Sequence, residues 1–426
     1  MSKEAALAFL EKHGMDPKRI APLPEAKRMA EEMERGLAGE PCSLDMIPTY
    51  LGVEGDIPQN IPVAVIDAGG TNFRSALVTF TEDGMCVEEM RKWRMPGTHE
   101  PVTWEDFIRF TADSVEGLLD RTERIGFCFS YPAIITPNMD GQVLHMDKEV
   151  VVTGCEGKKI GEALNAELKR RGWAEKKIVV LNDTVAVLLA GAATRGGTAW
   201  GGYVGQVSGT GTNTCCVLPV KRIGKLDCAV ERGMIVNLES GGYVGLPTGD
   251  FDRTLDRMSN SAGEKHLEKM TAGVYLGELV RLMLKAAAEE GELSEAAADK
   301  ARGLARIDSA VIDAWACGEN LEEICEREED REFVVTLCRA AFERSARCMC
   351  TNLAAILLLT GEGMDANKPV CLFAEGSLVQ KGRVYRPILE ELIQQEIEGG
   401  LGRHMVLHVG QETTLPGSAA ASLLNT

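Results

Sequence analysis

The chain has 426 residues, more than one hydrophobic core usually serves, so two lobes are expected. Hydrophobic residues make up 45% and charged residues 26%, the balance of a soluble globular protein, while a formal net charge of −18 without any basic run excludes nucleic-acid partners. An acidic chain that binds an anion must build a local cradle for it, from backbone N–H groups and a divalent metal.

Residues 2–36 read as helices interrupted by the proline-rich Ala21-Pro-Leu-Pro24, and 40–60 as an irregular segment. Val63-Ala-Val-Ile66 is a short apolar strand that ends in Asp67-Ala-Gly-Gly70 and resumes over 73–80, giving strand, glycine turn, strand. A helix is expected over 104–119 and a buried strand over 125–129, stopped by Ser130-Tyr-Pro132. Helical residues at 160–171 lead to the strand Ile178-Val-Val-Leu181, then Asn182-Asp183-Thr184 and a small-residue helix over 185–194. Residues 201–217 repeat the first hairpin, with Gly209-Thr-Gly-Thr-Asn213 as its turn. The two turns lie about 140 residues apart, the spacing of a weak internal duplication in which two hairpins grip one ligand. Residues 266–290 and 295–360 read as helical, with an acidic solvated stretch at 319–332. Leu372-Phe-Ala is expected as the last strand, before Glu375-Gly-Ser377 and the closing small-residue run from Pro416. Strands alternating with helices make this an α/β chain.

The 13 cysteines are scattered without paired metal-site spacing and read as free or buried thiols of a reducing compartment. The N-terminus has no apolar signal region and no run is long enough to span a membrane, so a cytoplasmic protein with no membrane partner is expected.

Neither a G-x-x-x-x-G-K-[ST] loop nor a G-x-G-x-x-G opening a helix is present, so the two glycine turns are the candidates for phosphate. Gly69, Gly70 and Thr71 can aim successive N–H groups outward with no Cβ in the way, and Asp67 can hold Mg²⁺ through water; a capped hairpin has the same look. Gly209, Thr210, Gly211 and Thr212 offer amides and hydroxyls. Asp183 stands where an apolar strand ends, the address at which open α/β sheets bind ligands. A carboxylate there can take a proton from an attacking hydroxyl while Asn182 binds a polyol, or it can cap the following helix. Glu239 and Glu268 can anchor sugar hydroxyls by charge-assisted bonds, although Glu268 also suits a helix first turn. Ser130 and Lys148 are equally open.

Together these segments resemble the hexokinase family, eukaryotic glucokinases included, along most of the chain. Val65-Ile-Asp-Ala-Gly-Gly-Thr-Asn-Phe-Arg74 is similar to the family's first phosphate motif and Gly209-Thr-Gly-Thr-Asn213 to its second. Gly126-Phe-Cys-Phe-Ser-Tyr-Pro132 resembles its sugar-binding strand and Leu181-Asn-Asp-Thr184 its catalytic segment. Asn237-Leu-Glu-Ser240, Glu268-Lys-Met, Tyr275-Leu-Gly-Glu-Leu-Val-Arg281, Glu375-Gly-Ser377 and Met46-Ile-Pro-Thr49 follow the same order.

The resemblance implies a two-lobed actin-like ATPase (ribonuclease H-like) fold around an interdomain cleft. Residues 1–60 would be N-terminal helices and lead-in on the large lobe, 61–181 the small lobe with 417–426 returning to it, and 182–416 the large lobe. It implies an ATP-dependent, Mg²⁺-dependent hexose kinase acting on the 6-hydroxyl, in a monomer or homodimer. Asp183 would be the general base, with Ser130, Asp147, Lys148, Asn182, Asn213, Glu239 and Glu268 at the sugar. Asp67, Gly69, Gly70, Thr71, Asn72, Arg74 and Gly209 to Thr212 would cradle the phosphates, and Gly376 and Ser377 the adenosine.

Four positions depart from the family pattern. Asp147-Lys148 stands where Thr-Lys is usual, Glu375 where Asp is commoner, Ser208 where an aliphatic residue precedes the second cradle, and Ser240 where Trp follows the sugar-binding Glu. Asp147 keeps a kinase for an amino sugar or another polyol open, and a catalytically silent sugar-binding regulator or an actin-like ATPase are the other readings.

Overall fold

The computed structural model describes residues 2–146, 150–193, 199–226 and 232–425. Two sheets organise it. The first has the order β10-β6-β2-β3-β4, from β2 (Val63–Ala68), β3 (Asn72–Thr81), β4 (Gly84–Arg94), β6 (Arg124–Phe129) and β10 (Lys177–Leu181). The second has the order β1-β13-β12-β11-β14-β15, from β1 (Ile47–Pro48), β11 (Gly202–Ser208), β12 (Thr212–Pro219), β13 (Gly233–Asn237), β14 (Val370–Glu375) and β15 (Met405–Val409). Two further two-stranded ladders pair β5 (Val102–Thr103) with β9 (Val152–Thr153) and β7 (Ala133–Ile135) with β8 (Gly141–Val143).

Apart from β1, the sheets share one plan. An antiparallel pair of hairpins, β2-β3-β4 or β11-β12-β13, is extended on its first strand by two parallel strands, β6 and β10 or β14 and β15. The duplication expected from two similar turns is therefore a duplication of topology. β2 is buried along all six residues, as befits the centre of a covered sheet, and its apolar run is what made it legible. β4 is an edge strand whose charged residues face water, and β15 buries only Met405, with Val406 exposed and residues 407–409 half-buried; both were missed, and β14 is not the last strand.

The helices are α1 (Ser2–Lys12), α2 (Pro22–Ala38), α3 (Trp104–Val115), α4 (Ile160–Arg170), α5 (Asp183–Ala193), α6 (Asp250–Met258), α7 (His266–Thr271), α8 (Gly273–Glu290), α9 (Glu295–Arg302), α10 (Ser309–Ala316), α11 (Glu328–Thr360), α12 (Ser377–Lys381), α13 (Tyr385–Leu392) and α14 (Thr414–Asn425). The proline-rich 21–24 segment does not break a helix: Pro22 opens α2, where a missing N–H costs nothing. The acidic stretch is not wholly solvated either, because Asp330 is buried and accepts Ser294 N at 2.9 Å, and Glu319 pairs with Arg383.

α5 and α14 each leave the last strand of one sheet and pack on the other. α5 follows β10 and lies against β11, β14 and β12, while α14 follows β15 and lies against β2, β6 and β10, and the two helices cross. Close approach needs small residues. A Cβ added at Gly417 would lie 1.9 Å from Ala186 O, and one at Gly126 would lie 2.2 Å from Ser418 O. The largest core joins α1, α2 and α6 to α13 beneath the second sheet, and a separate core holds α3 and α4 to the first. All described cysteines are free, and no described helix is long and apolar enough to cross a membrane.

Candidate functional site

Register brings three strand ends together. Asp67 on β2 lies opposite Cys128 on β6, which lies opposite Leu181 on β10, so the segments that follow leave the sheet at one edge. These are the turn at 69–71, Ser130, and Asn182 with Asp183. Asp67 is 6% exposed, and its Oδ2 accepts Arg74 Nη2 at 2.6 Å, Arg74 Nε at 2.9 Å and Thr414 Oγ1 at 3.1 Å. Gly69 N donates to Asn72 O at 3.0 Å, Tyr131 Oη donates to Gly69 O at 2.8 Å, and Ser130 N donates to Ala68 O at 3.2 Å. Thr71 and Asn72 are exposed at the tip, and Gly70 is half-buried beside them.

Asn182 and Asp183 both serve the first turn of α5. Asn182 Oδ1 accepts Thr184 N at 2.9 Å and Asp183 Oδ1 accepts the same N–H at 2.7 Å. The capping role foreseen for Asp183 is thus shared with Asn182, and Asp183 Oδ2 is not used in it. The charge of Asp183 is felt on both sides. Burial, then the charges of Asp67 and Asp183, push the Cys128 thiol of the first sheet up. Burial, then Cys216 and Asp183, do so for Cys215 of the second. Cys215 also donates to Thr184 O at 3.1 Å, tying the start of α5 to β12.

In the second half, Asn213, Asn237 and Glu239 form one chain of bonds. Asn237 Nδ2 donates to Glu239 Oε1 at 2.7 Å, and Asn213 Nδ2 donates to Asn237 Oδ1 at 2.8 Å and to Glu239 Oε1 at 3.3 Å. Burial raises the Glu239 carboxyl to about 7; the Asn237 amide opposes this and the Asp183 charge adds to it. Glu239 has φ +52°, a left-handed conformation that a residue with a Cβ rarely adopts without constraint. β1 supplies constraint: Ile47 lies opposite Asn237, and Met46 N donates to Leu238 O at 3.3 Å.

The second turn is backed on two sides. Gly209 N donates to Gly211 O at 3.0 Å, Gly273 N donates to Gly209 O at 2.7 Å, and Glu268 Oε2 accepts Thr212 N at 3.2 Å. Glu268 therefore touches the turn as well as facing the group around Glu239. A Cβ at Gly209 would lie 3.2 Å from Gly376 Cα, and one at Gly376, at φ +121°, would lie 2.3 Å from Ser208 O. The glycines here let two turns close on each other, leaving Thr210 and Ser377 exposed at the rim.

Sequence reading missed the loop that joins the halves. Thr413 N donates to Glu375 Oε2 at 3.0 Å, Thr414 Oγ1 donates to Asp67, and Glu412 pairs with Arg74 Nη1 at 3.4 Å. Nothing in Gln411-Glu-Thr-Thr414 distinguishes it from a surface loop. Asn237 was also passed over, although it stands in a quoted motif. Asp147 and Lys148 lie outside the described residues.

Among the described residues no three His, Cys, Asp or Glu side chains gather to hold a metal. The donor set instead fits Mg²⁺, which keeps most of its waters and takes one carboxylate plus substrate phosphates. The bonds that Asp67 accepts from Arg74 and Thr414 all go to Oδ2 and leave Oδ1 outside them.

Two family models, both described as hexokinase, match the chain, one over residues 9–193 and the other over residues 203–424. Hexokinase-1 of Schizosaccharomyces pombe is 27% identical across 93% of this chain and 86% of its own length. The chloroplastic hexokinase-2 of Nicotiana tabacum is 27% identical across 94% and 86%. Among solved structures, a Schistosoma mansoni hexokinase complexed with glucose superposes with a TM-score of 0.76 at 21% identity over 99% of both chains. A further hexokinase crystal structure superposes at 0.80 with 22% identity, over 99% of this chain and 98% of its own.

Proposed function

The chain belongs to the hexokinase family, and on that premise we propose that Asp183 is the base that prepares the 6-hydroxyl of a hexose for attack on ATP. The protein is an ATP-dependent phosphotransferase that moves the γ-phosphoryl group to a hexose hydroxyl, giving a hexose phosphate and ADP. The observation that carries the assignment is the placement of Asp183: it follows β10 at the strand ends that also bear Asp67 and Ser130, and it opens α5, which packs on β11 and β12 and is tied to β12 through Cys215 Sγ and Thr184 O at 3.1 Å.

Phosphoryl transfer asks little covalent help of a protein, so holding the reactants and spreading charge do most of the catalysis. Asn182, Asn213, Glu239 and Glu268 bind the sugar hydroxyls from the large lobe, and Ser130, Asp147 and Lys148 from the small one. Asp183 accepts the 6-hydroxyl proton as the oxygen adds to the γ-phosphorus in line with the departing ADP oxygen. Gly70, Thr71 and Asn72 of the first turn and Thr210 and Gly211 of the second face the phosphates, Gly69, Gly209 and Thr212 shape the cradle by spending their N–H groups on Asn72 O, Gly211 O and Glu268, and Gly376 and Ser377 border the adenosine. Arg74 holds Asp67 in place through two bonds. Asp67 would hold Mg²⁺, and the ion would supply charge neutralisation at the phosphates. The free thiols favour a reducing, cytoplasmic setting in which the product feeds sugar breakdown.

ADP release measured against glucose, mannose, fructose and glucosamine tests this reading. Turnover that depends on a neutral hexose and is slow without sugar is expected. Hexose binding with no ATP turnover would contradict it.

A further inference from the structure

The face of β11 turned away from α5 changes character along its length. Val204 lies opposite Cys216 of β12, and both belong to the apolar core of the second sheet. Residues two apart share a face of a strand, so the next pairs on that face are Gln206 with Thr214 and Ser208 with Thr212. All four are polar and at most 3% exposed. Three helices complete the layer. Thr271 of α7 bonds Thr212 through their hydroxyls at 2.9 Å, Asn352 of α11 donates Nδ2 to Thr214 Oγ1 at 2.8 Å, and Tyr385 of α13 stands beside Ser208 and Gln206.

Apolar side chains would fill this space at less cost. Gln206 Nε2 donates to Ser208 Oγ at 2.7 Å, and the Tyr385 hydroxyl lies close enough to Ser208 and Gln206 for both side chains to act on it, while Asn352 Oδ1 is buried without a protein partner. A buried polar layer is expensive unless its members bond one another, which holds each of them in one orientation. Burial pushes the Tyr385 phenol above its ordinary range, so it stays a hydroxyl able to donate. The layer ends where the 209–212 turn begins: Ser208 is the last residue of β11, and its carbonyl is the atom on which Gly376 closes.

We infer that Gln206, Ser208 and Tyr385, which reach one another directly, are positioning residues that fix the 209–212 turn in the orientation its phosphate contacts require. This rests on the reading of that turn as the nucleotide's phosphate cradle. In this chain directional bonds beneath the last strand residue hold the turn's amides, at the position where the family pattern has an aliphatic residue.

The test compares KM for ATP with KM for hexose in the full chain. Tyr385→Phe and Ser208→Ala are expected to raise KM for ATP about 5- to 20-fold and leave KM for hexose within about twofold, with Ser208→Thr restoring the first. Thr210→Trp, which fills the exposed rim of the turn, is expected to abolish ATP use. If Thr210→Trp abolishes it while the other two leave KM for ATP unchanged, the positioning role falls and the cradle stands. If Thr210→Trp leaves KM for ATP unchanged, the cradle itself falls. A parallel rise of both KM values with a lowered melting midpoint would make the layer merely structural and overturn the inference.

Discussion

Glu239 shows how one residue's surroundings set its chemistry. Burial holds its carboxyl at about 7, above the ordinary value of 4.5, so the folded state binds a proton that the unfolded chain has lost between those values. The stability this proton contributes is complete below 4.5 and disappears as pH rises through about 7. Glu239→Gln keeps the neutral form, so chemical denaturation should show the variant gaining on the parent between pH 5 and pH 8; parallel curves would contradict the shift. Sugar hydroxyls donate best to the ionised carboxylate, so hexose affinity of the parent should rise between pH 6 and pH 8 and that of Glu239→Gln should not. Asn237 donates to Glu239 Oε1 at 2.7 Å, and Asn237→Ala should move the midpoint of that rise upward in calorimetric titrations. Asn182 and Asp183 were legible as residues because an apolar strand ends in front of them. Their shared bond to Thr184 N was not, since one-dimensional spacing offers Asp183 both a base's place and a cap's.

At the scale of elements, legibility followed burial. β2 and β6 lie inside a sheet, and β10, at its edge, buries its last three residues; all three read as apolar runs, whereas β4 is exposed almost throughout and β15 buries only Met405. The crossing of α5 and α14 was half visible: both segments are rich in small residues, but only the structure shows that each packs on the other's sheet. The cause is steric. Gly417→Val would drive a side chain into Ala186 O, 1.9 Å from the added Cβ, and overpacking of this kind costs about 3 kcal/mol or more. A fall in melting midpoint of several degrees is expected. An unchanged midpoint would mean that the crossing is looser than drawn.

For the whole molecule, two sheets of one topology meet at α5 and α14, and polar groups from each face a common region. The loop at 410–414 spans it, bonding Glu375 from one side and Asp67 from the other. Water competes with a sugar hydroxyl for ATP, and a two-lobed enzyme limits that loss by closing on its sugar. Small-angle scattering should therefore show a smaller radius of gyration at saturating hexose. An unchanged radius would count against lobe closure.

The claim on which the rest depends is that Asp183 removes the hexose proton. Steady-state turnover of Asp183→Asn, measured beside its hexose affinity, tests it most directly. kcat should fall by about 10²- to 10⁴-fold while hexose still binds within a few-fold of the parent. Turnover near that of the parent, with hexose bound, would show that some other group performs the proton transfer.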